Sequence, residues 1–431
     1  DNLAGHRVVP RLAAVAYPIV TCATMVLFVY ADLCIATIID FDFAFGGETF
    51  SLSPALAFSV LIIATDAWGA GAYCIAGCII VLSICWPFVK LCLLLYAWYV
   101  PTEDLRPEAR GKLLSFLDEY GKWSLIDTWL GILALACYRL SWQSTTSDAA
   151  FLVNPIPRLP FFVFVIAQVL SLILGHVASG FHRQAVEEDD EVRHDDGGAY
   201  VSMPLYTFLP FGTAYRLIAS LLVTAVMLLL CVKINTFEMI ESGVLSILLN
   251  EPGDSVTQHS LLELGQGITY GREGDVGLIM VQAIFFVFAV IIPLALLIAL
   301  SALLLLPWRL GMQKFMMDLC RALDAWAAFD VFALAVFISR FEFGLFSKFL
   351  MNHNNIELGC AVVRTYLQQE CFHMECRFTP GFAVLAGAAI ATYALPKYAL
   401  KVCAEAMEDV REAKGGDVSP GMSHVIRVTL A

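Results

Sequence analysis

Three ionisable side chains stand where an apolar chain seldom carries them. Lys90 lies in the middle of a hydrophobic run, three residues after Pro87, and Asp127 and Asp330 each follow a tryptophan by four residues. The two phrases are Trp123-Ser124-Leu125-Ile126-Asp127 and Trp326-Ala327-Ala328-Phe329-Asp330. A charge at membrane depth is costly, so such groups pair, bond backbone carbonyls or line a polar path. An ammonium and two carboxylates could meet a lipid headgroup or pass protons, and Asp127 is the expected partner for Lys90. The structural alternatives are that Lys90 snorkels to an interface, and that each Trp anchors a helix end whose first turn favours the Asp. Other chemistry has no support. The chain contains no Walker A loop, no Gly-x-Ser-x-Gly, no His-Glu-x-x-His, no Gly-x-Gly-x-x-Gly opening a helix and no Cys-x-x-Cys. Only His176 lies within an apolar span, where a membrane haem would need paired histidines. The expectation is a protein that is not an enzyme, with no cofactor and no resident metal.

Of the 13 cysteines, most fall in apolar runs as small hydrophobes. Cys360, Cys371 and Cys376 instead cluster before the last span, and a disulfide among them is expected to staple that loop. His353 and His373 lie nearby, but Cys-x4-Cys with one intervening His is not a zinc pattern.

The elements that must position these residues follow from composition. At 59% hydrophobic residues and a mean hydropathy of +0.75, the chain is a polytopic membrane protein. Eight stretches approach the roughly 20 apolar residues that cross about 30 Å of hydrocarbon: about 12–38, 70–100, 123–142, 159–181, 211–233, 275–306, 324–346 and 379–402. Backbone groups in lipid must be satisfied within the segment, so the fold class is all-α. The paired phrases, with Pro87 and Pro293 matched in the preceding spans, point to two tandem four-helix repeats. Four crossings return the chain to its starting side, making the repeats parallel. Each proline withholds an N–H and frees a carbonyl that a neighbour must satisfy. The expected organisation is a first repeat over 1–182, an acidic linker over 183–210, a second repeat over 211–405 and a tail over 406–431.

Lys and Arg concentrate on one side of this scheme, including Arg7, Arg11, Arg106, Arg110, Lys112, Lys122, Arg309, Lys314 and Lys401. That places both termini in the cytosol or its matrix or stroma equivalent, with loops at 39–55, 141–158, 234–274 and 343–378 facing outward. The net charge of −13 and the run Glu187-Glu188-Asp189-Asp190-Glu191 argue against a nucleic-acid partner and for a solvated linker.

The phrase Gly121-Lys122-Trp123-Ser124-Leu125-Ile126-Asp127-Thr128-Trp129, preceded by Pro87-x-x-Lys90 and the basic connector Arg106–Lys112, resembles the signature of the paraquat-inducible protein A family. The likeness covers most of 10–182 and, more weakly, 205–405, where only Trp326 and Asp330 of the phrase are kept. It implies a membrane subunit working beside mammalian-cell-entry domain proteins, which carry lipids between bilayers. Membrane lipids and such a protein are then the implied partners. The family's zinc ribbons do not carry over, because no Cys-x-x-Cys exists here, so a divergent member is implied. A rival reading keeps the fold as a non-catalytic structural subunit of a larger membrane complex, its 30 Phe and 8 Trp packing against partners or lipid.

Overall fold

The computed structural model describes residues 2–415 except 46–47, 70, 72, 138–139, 144–149, 192–203, 243–254, 271, 273 and 352–372. Among the described residues, seven helices are long and apolar enough to cross a bilayer: Arg11–Leu33, Ala76–Tyr99, Leu159–Val186, Gly212–Lys233, Val276–Leu305, Gly311–Phe341 and Gly381–Met407. They correspond to seven of the eight expected spans.

The third expected span differs. Its described helix, α6 (Ile126–Cys137), has 12 residues, about 18 Å at 1.5 Å per residue, which falls short of the bilayer core. The helix is prolonged toward the N-terminus by a 3-10 turn at Gly121–Leu125 and by α5 (Pro107–Glu119). All three pieces run antiparallel along one helix, α7 (Leu159–Glu191). Gly111 faces His182, Asp118 faces His176, Gly121 faces Leu172, Thr128 bonds Gln168 and Gly131 faces Phe161. The third expected span is therefore part of a broken rod that starts in the segment expected to be a cytosolic connector. Hydropathy missed its first part because α5 is mostly polar.

The remaining helices, in chain order, are α1 (Arg11–Leu33), α2 (Val60–Gly69), α3 (Tyr73–Cys78), α4 (Trp86–Tyr99), α8 (Phe211–Lys233) and α9 (Leu261–Gly267), followed by α10 (Val276–Phe286), α11 (Ile292–Leu305), α12 (Leu310–Trp326), α13 (Phe329–Met351) and α14 (Gly381–Gly415). A π-helical stretch joins α3 to α4 at Ile79–Cys85, and another joins α10 to α11 at Val287–Ile291. Pro87 and Pro293 each follow such a stretch by two residues. In the second half, α12 and α13 form another broken rod, interrupted at Ala327–Ala328.

The segments expected as outer loops carry strands, with the short helix α9 among them and the end of α13 reaching into the last. β1 (Thr37–Phe45), β2 (Glu48–Phe58), β3 (Leu140–Gln143) and β4 (Ala150–Pro157) form an antiparallel sheet in the order β2-β1-β4-β3. A second sheet, ordered β6-β5-β7, combines β5 (Asn235–Ser242), β6 (Ser255–Ser260) and β7 (His373–Phe378). The membrane-spanning body is all-α as expected, and the two small sheets are added between the spans. The signal was present, since Ile39-Asp40-Phe41-Asp42-Phe43 alternates with the period of a half-buried strand. Both sheets lie at the same end of the molecule. The N-terminal ends of α6 and α13 sit side by side, Trp129 and Phe332 meeting at 6.2 Å, and β3 and β7 follow their C-terminal ends.

The two halves share a core. Trp129, Phe285 and Phe332 meet edge to face, with ring centroids 5.4–6.2 Å apart, a geometry that adds to area burial. α7 continues through Glu191 and α14 through Gly415, beyond the boundaries drawn from composition at 182 and 405.

Candidate functional site

Both Trp-x-x-x-Asp phrases fall on the breaks. Trp123 lies in the 3-10 turn and Asp127 in the first turn of α6; Trp326 ends α12 and Asp330 lies in the first turn of α13. Each break creates a new helix N-terminus inside the protein, whose unpaired N–H groups and positive dipole end favour a carboxylate. The tryptophans are packed inward. Trp326 stacks on Phe288 with rings 5.9 Å apart and 8° from parallel, and presents its edge to His176 at 6.3 Å.

Backbone accounting explains the second break. Ile292 donates five residues back to Val287, the π register. The next donor in that register would be Pro293, which has no N–H, so the Phe288 carbonyl is left open. Ala328, inside the break, donates to that carbonyl at 3.2 Å. Ala327 donates back to Leu323 at 2.9 Å, and Phe332 donates to Ala328 at 3.0 Å. The last group, the Ala327 carbonyl, accepts from Lys122 Nζ at 2.9 Å. The proline of one helix and the break of the next thus satisfy each other, and a lysine from the other half completes the set.

Lys122 was read from sequence as one of the cytosolic cations. The structure instead buries it, 3% exposed, with Nζ also 2.9 Å from Asp330 Oδ2. Asp330 is thereby paired across the seam between the halves. Both carboxylate oxygens of Asp330 and the Nε1 of Trp326 are buried with no hydrogen-bond partner among the described residues, so Oδ2 is held by Lys122 as an ion pair alone.

Lys90 is 1% exposed in α4, so it does not snorkel. Its expected partner was Asp127, but Nζ donates to the Ser171 carbonyl at 3.0 Å, and Asp118 is the carboxylate acting on it. Asp118 in turn lies 3.4 Å from His176 Nδ1. Room for the ammonium comes from two glycines. A Cβ on Gly121 would lie 2.5 Å from Nζ, and one on Gly175 3.7 Å from it. Asp127 lies close to the Ser83 hydroxyl of the π-helical stretch, and its charge acts on the buried Asp32. A row of buried amides and hydroxyls continues along α7, where Thr128 Oγ1 donates to Gln168 Oε1 and Gln168 Nε2 donates to the Ser124 carbonyl, each at 2.6 Å.

The three expected site residues therefore do not form one cluster. Lys90 and Asp118 lie in the first half, Asp127 lies on the side of Ser83, and Asp330 sits at the seam with Lys122. Near Lys122, a more open cross-half contact joins Lys397 of α14 to Glu119 of α5, and Lys397 Nζ sits 3.6 Å from the centroid of the Tyr393 ring. Sequence reasoning passed over Asp118 and gave Gly121 and Lys122 no place in the site. Their signal was the Gly-Lys pair directly before the Trp, which charge counting assigned to a loop.

Among the described residues, no group of three or more His, Cys, Asp or Glu is placed to hold a metal ion. Cys376, in β7, is a buried free thiol, while Cys360 and Cys371 lie outside the described residues.

The model of the family described as paraquat-inducible protein A matches residues 49–175 and 274–378, together more than half of the chain. The two matched stretches contain the two breaks and the two π-kinked helices. Comparison with curated proteins and with solved structures gave no match. The chain belongs to the paraquat-inducible protein A family.

Proposed function

From that membership we propose that this multi-pass membrane protein is the bilayer subunit of an intermembrane lipid transport system, handing lipid between the membrane and a partner with a mammalian-cell-entry domain. The observation that carries the reading is the seam, where two broken rods meet and place Lys122, Asp330, Asp324, Glu119 and Lys397 among aromatic and apolar side chains. Charges in such a place are expensive to keep, and broken helices with buried charges between two halves are a recurrent way to build a path for a polar group through a membrane protein. In this reading lipid tails stay in the bilayer while the headgroup meets the polar seam, and Lys90, Asp127 and Asp330 are the side chains on which passage depends. The sheet-bearing end is the outward face, where a soluble partner docks, and both termini lie on the cytosolic, matrix or stromal side.

The test is transfer of fluorescent phospholipid between donor and acceptor vesicles, with the chain and its co-purified partner reconstituted in the donors. The mutants Lys90→Met, Asp127→Asn and Asp330→Asn should lose transfer while still inserting and co-purifying. Normal transfer by all three removes the reading. A wild-type assembly of fixed subunits that carries only bulk lipid and transfers none makes the chain a structural subunit instead.

A further inference from the structure

We infer that Lys122 is a positioning residue, by which the first half of the chain holds open and in register the helix break of the second. Three observations support this independently of any transport role. Lys122 is buried, and its ammonium crosses the seam to two atoms of the break, the Ala327 carbonyl and Asp330 Oδ2, both at 2.9 Å. Without it the Ala327 carbonyl has no donor, because the chain turns there with φ −68° and ψ 106°, out of the α region, so the amide of Val331 cannot reach back to it. The second half has no lysine of its own to do this. The residue preceding Trp326 is Ala325, where Lys122 precedes Trp123.

The asymmetry assigns different work to the two phrases. In the second half the aspartate is held by a fixed counter-charge; in the first, Asp127 lies close to the Ser83 hydroxyl and acts on a second carboxylate, Asp32. Because Phe288 of the π-kinked helix accepts from Ala328 in the same break, a displacement of Lys122 acts on three elements together: the first half's 3-10 turn, the α12–α13 break and the kink before Pro293. The seam is then a mechanical junction as well as a polar one.

The experiment is amide hydrogen exchange over residues 320–335 of the full chain in nanodiscs, comparing wild type with Lys122→Met, Lys122→Arg, Asp330→Asn and the double mutant Lys122→Met/Asp330→Leu. We expect Lys122→Met to speed exchange at 328–332 at least tenfold, and Lys122→Arg, which retains reach and donors, to stay within about twofold of wild type. Asp330→Asn, which spares the bond to Ala327, should fall between them. The double mutant separates positioning from simple charge balance, since it removes both charges yet leaves the Ala327 carbonyl without a donor; it should remain as exchange-prone as Lys122→Met. Wild-type protection in Lys122→Met, or full protection in the double mutant, overturns the inference. If Lys122→Met does not fold, Lys122→Gln takes its place, with the same expectations. Lipid transfer is not measured, so this inference and the transport reading can fail separately.

Discussion

Replacing Gly121 with alanine tests the Lys90 site with a single methyl group. The new Cβ would stand 2.5 Å from Lys90 Nζ, 3.1 Å from Leu172 Cδ2 and 3.2 Å from Lys90 Cε. The ammonium end of a lysine swings aside easily, so the steric term alone is small. What the movement removes is the 3.0 Å bond to the Ser171 carbonyl of a side chain that is 1% exposed. A hydrogen bond from a charged group contributes about 1.5–3 kcal/mol, whereas alanine in place of a helical glycine gains roughly 0.5–1 kcal/mol. The net expectation is a loss of about 1–2 kcal/mol. Gly175→Ala is the control, because its Cβ would meet Lys90 Cε at 3.5 Å and Nζ at 3.7 Å, ordinary contact distances. That substitution should be neutral or stabilise by roughly 0.5–1 kcal/mol. The two variants should therefore differ by about 1–3 kcal/mol in reversible unfolding, measured by SDS titration in mixed micelles or by steric trapping. In Lys90→Ala, where the ammonium is absent, Gly121→Ala should cost nothing further. Equal stability of the two glycine variants, or an undiminished Gly121→Ala penalty in the Lys90→Ala background, would refute the placement of Lys90.

Two further outcomes follow from burial. The Lys397–Glu119 pair also joins the halves, but its side chains are 30% and 37% exposed; Lys397→Gln should cost less than about 1 kcal/mol, well below any loss from Lys122→Met, and a larger loss in the same unfolding assay would show that the outer contact dominates the seam. Burial pushes the Cys376 thiol up to about 12, so at pH 8 only about one molecule in ten thousand is a thiolate, the reactive form. In folded protein Cys376 should resist maleimide over a time in which unfolded chain reacts fully, and rapid labelling of the native state, read by mass spectrometry, would contradict its position in β7.

Much of the fold was legible because it depends on composition and local pattern. Seven of the eight expected spans reappear as helices, since a run of about 20 apolar residues has no other way to satisfy its backbone in lipid. The prolines at 87 and 293 announced freed carbonyls, and the second one is answered in the structure by Ala328. The strands could have been read from alternation in Thr37–Phe45, but loop length and polarity hid them. The rod that carries the third expected span begins earlier than the span itself, because hydropathy averages over a window and starts a span where apolar residues begin, while α5 runs as a polar helix along α7.

By itself, then, the sequence determined a polytopic membrane protein of the paraquat-inducible protein A type, with buried charges and two matched Trp-x-x-x-Asp phrases. These follow from residue types and short spacings, which survive without knowledge of contacts. Only the tertiary structure decided which charges meet. Lys90 and Asp127 looked like partners because they stand on consecutive helices, yet Lys90 meets the Ser171 carbonyl of α7 and Asp118 of α5, while the break at Gly121–Leu125 sends Lys122 across to Asp330. Pairing at that range depends on the direction in which each broken rod resumes, and that direction is set by packing between the two halves, which no local pattern encodes.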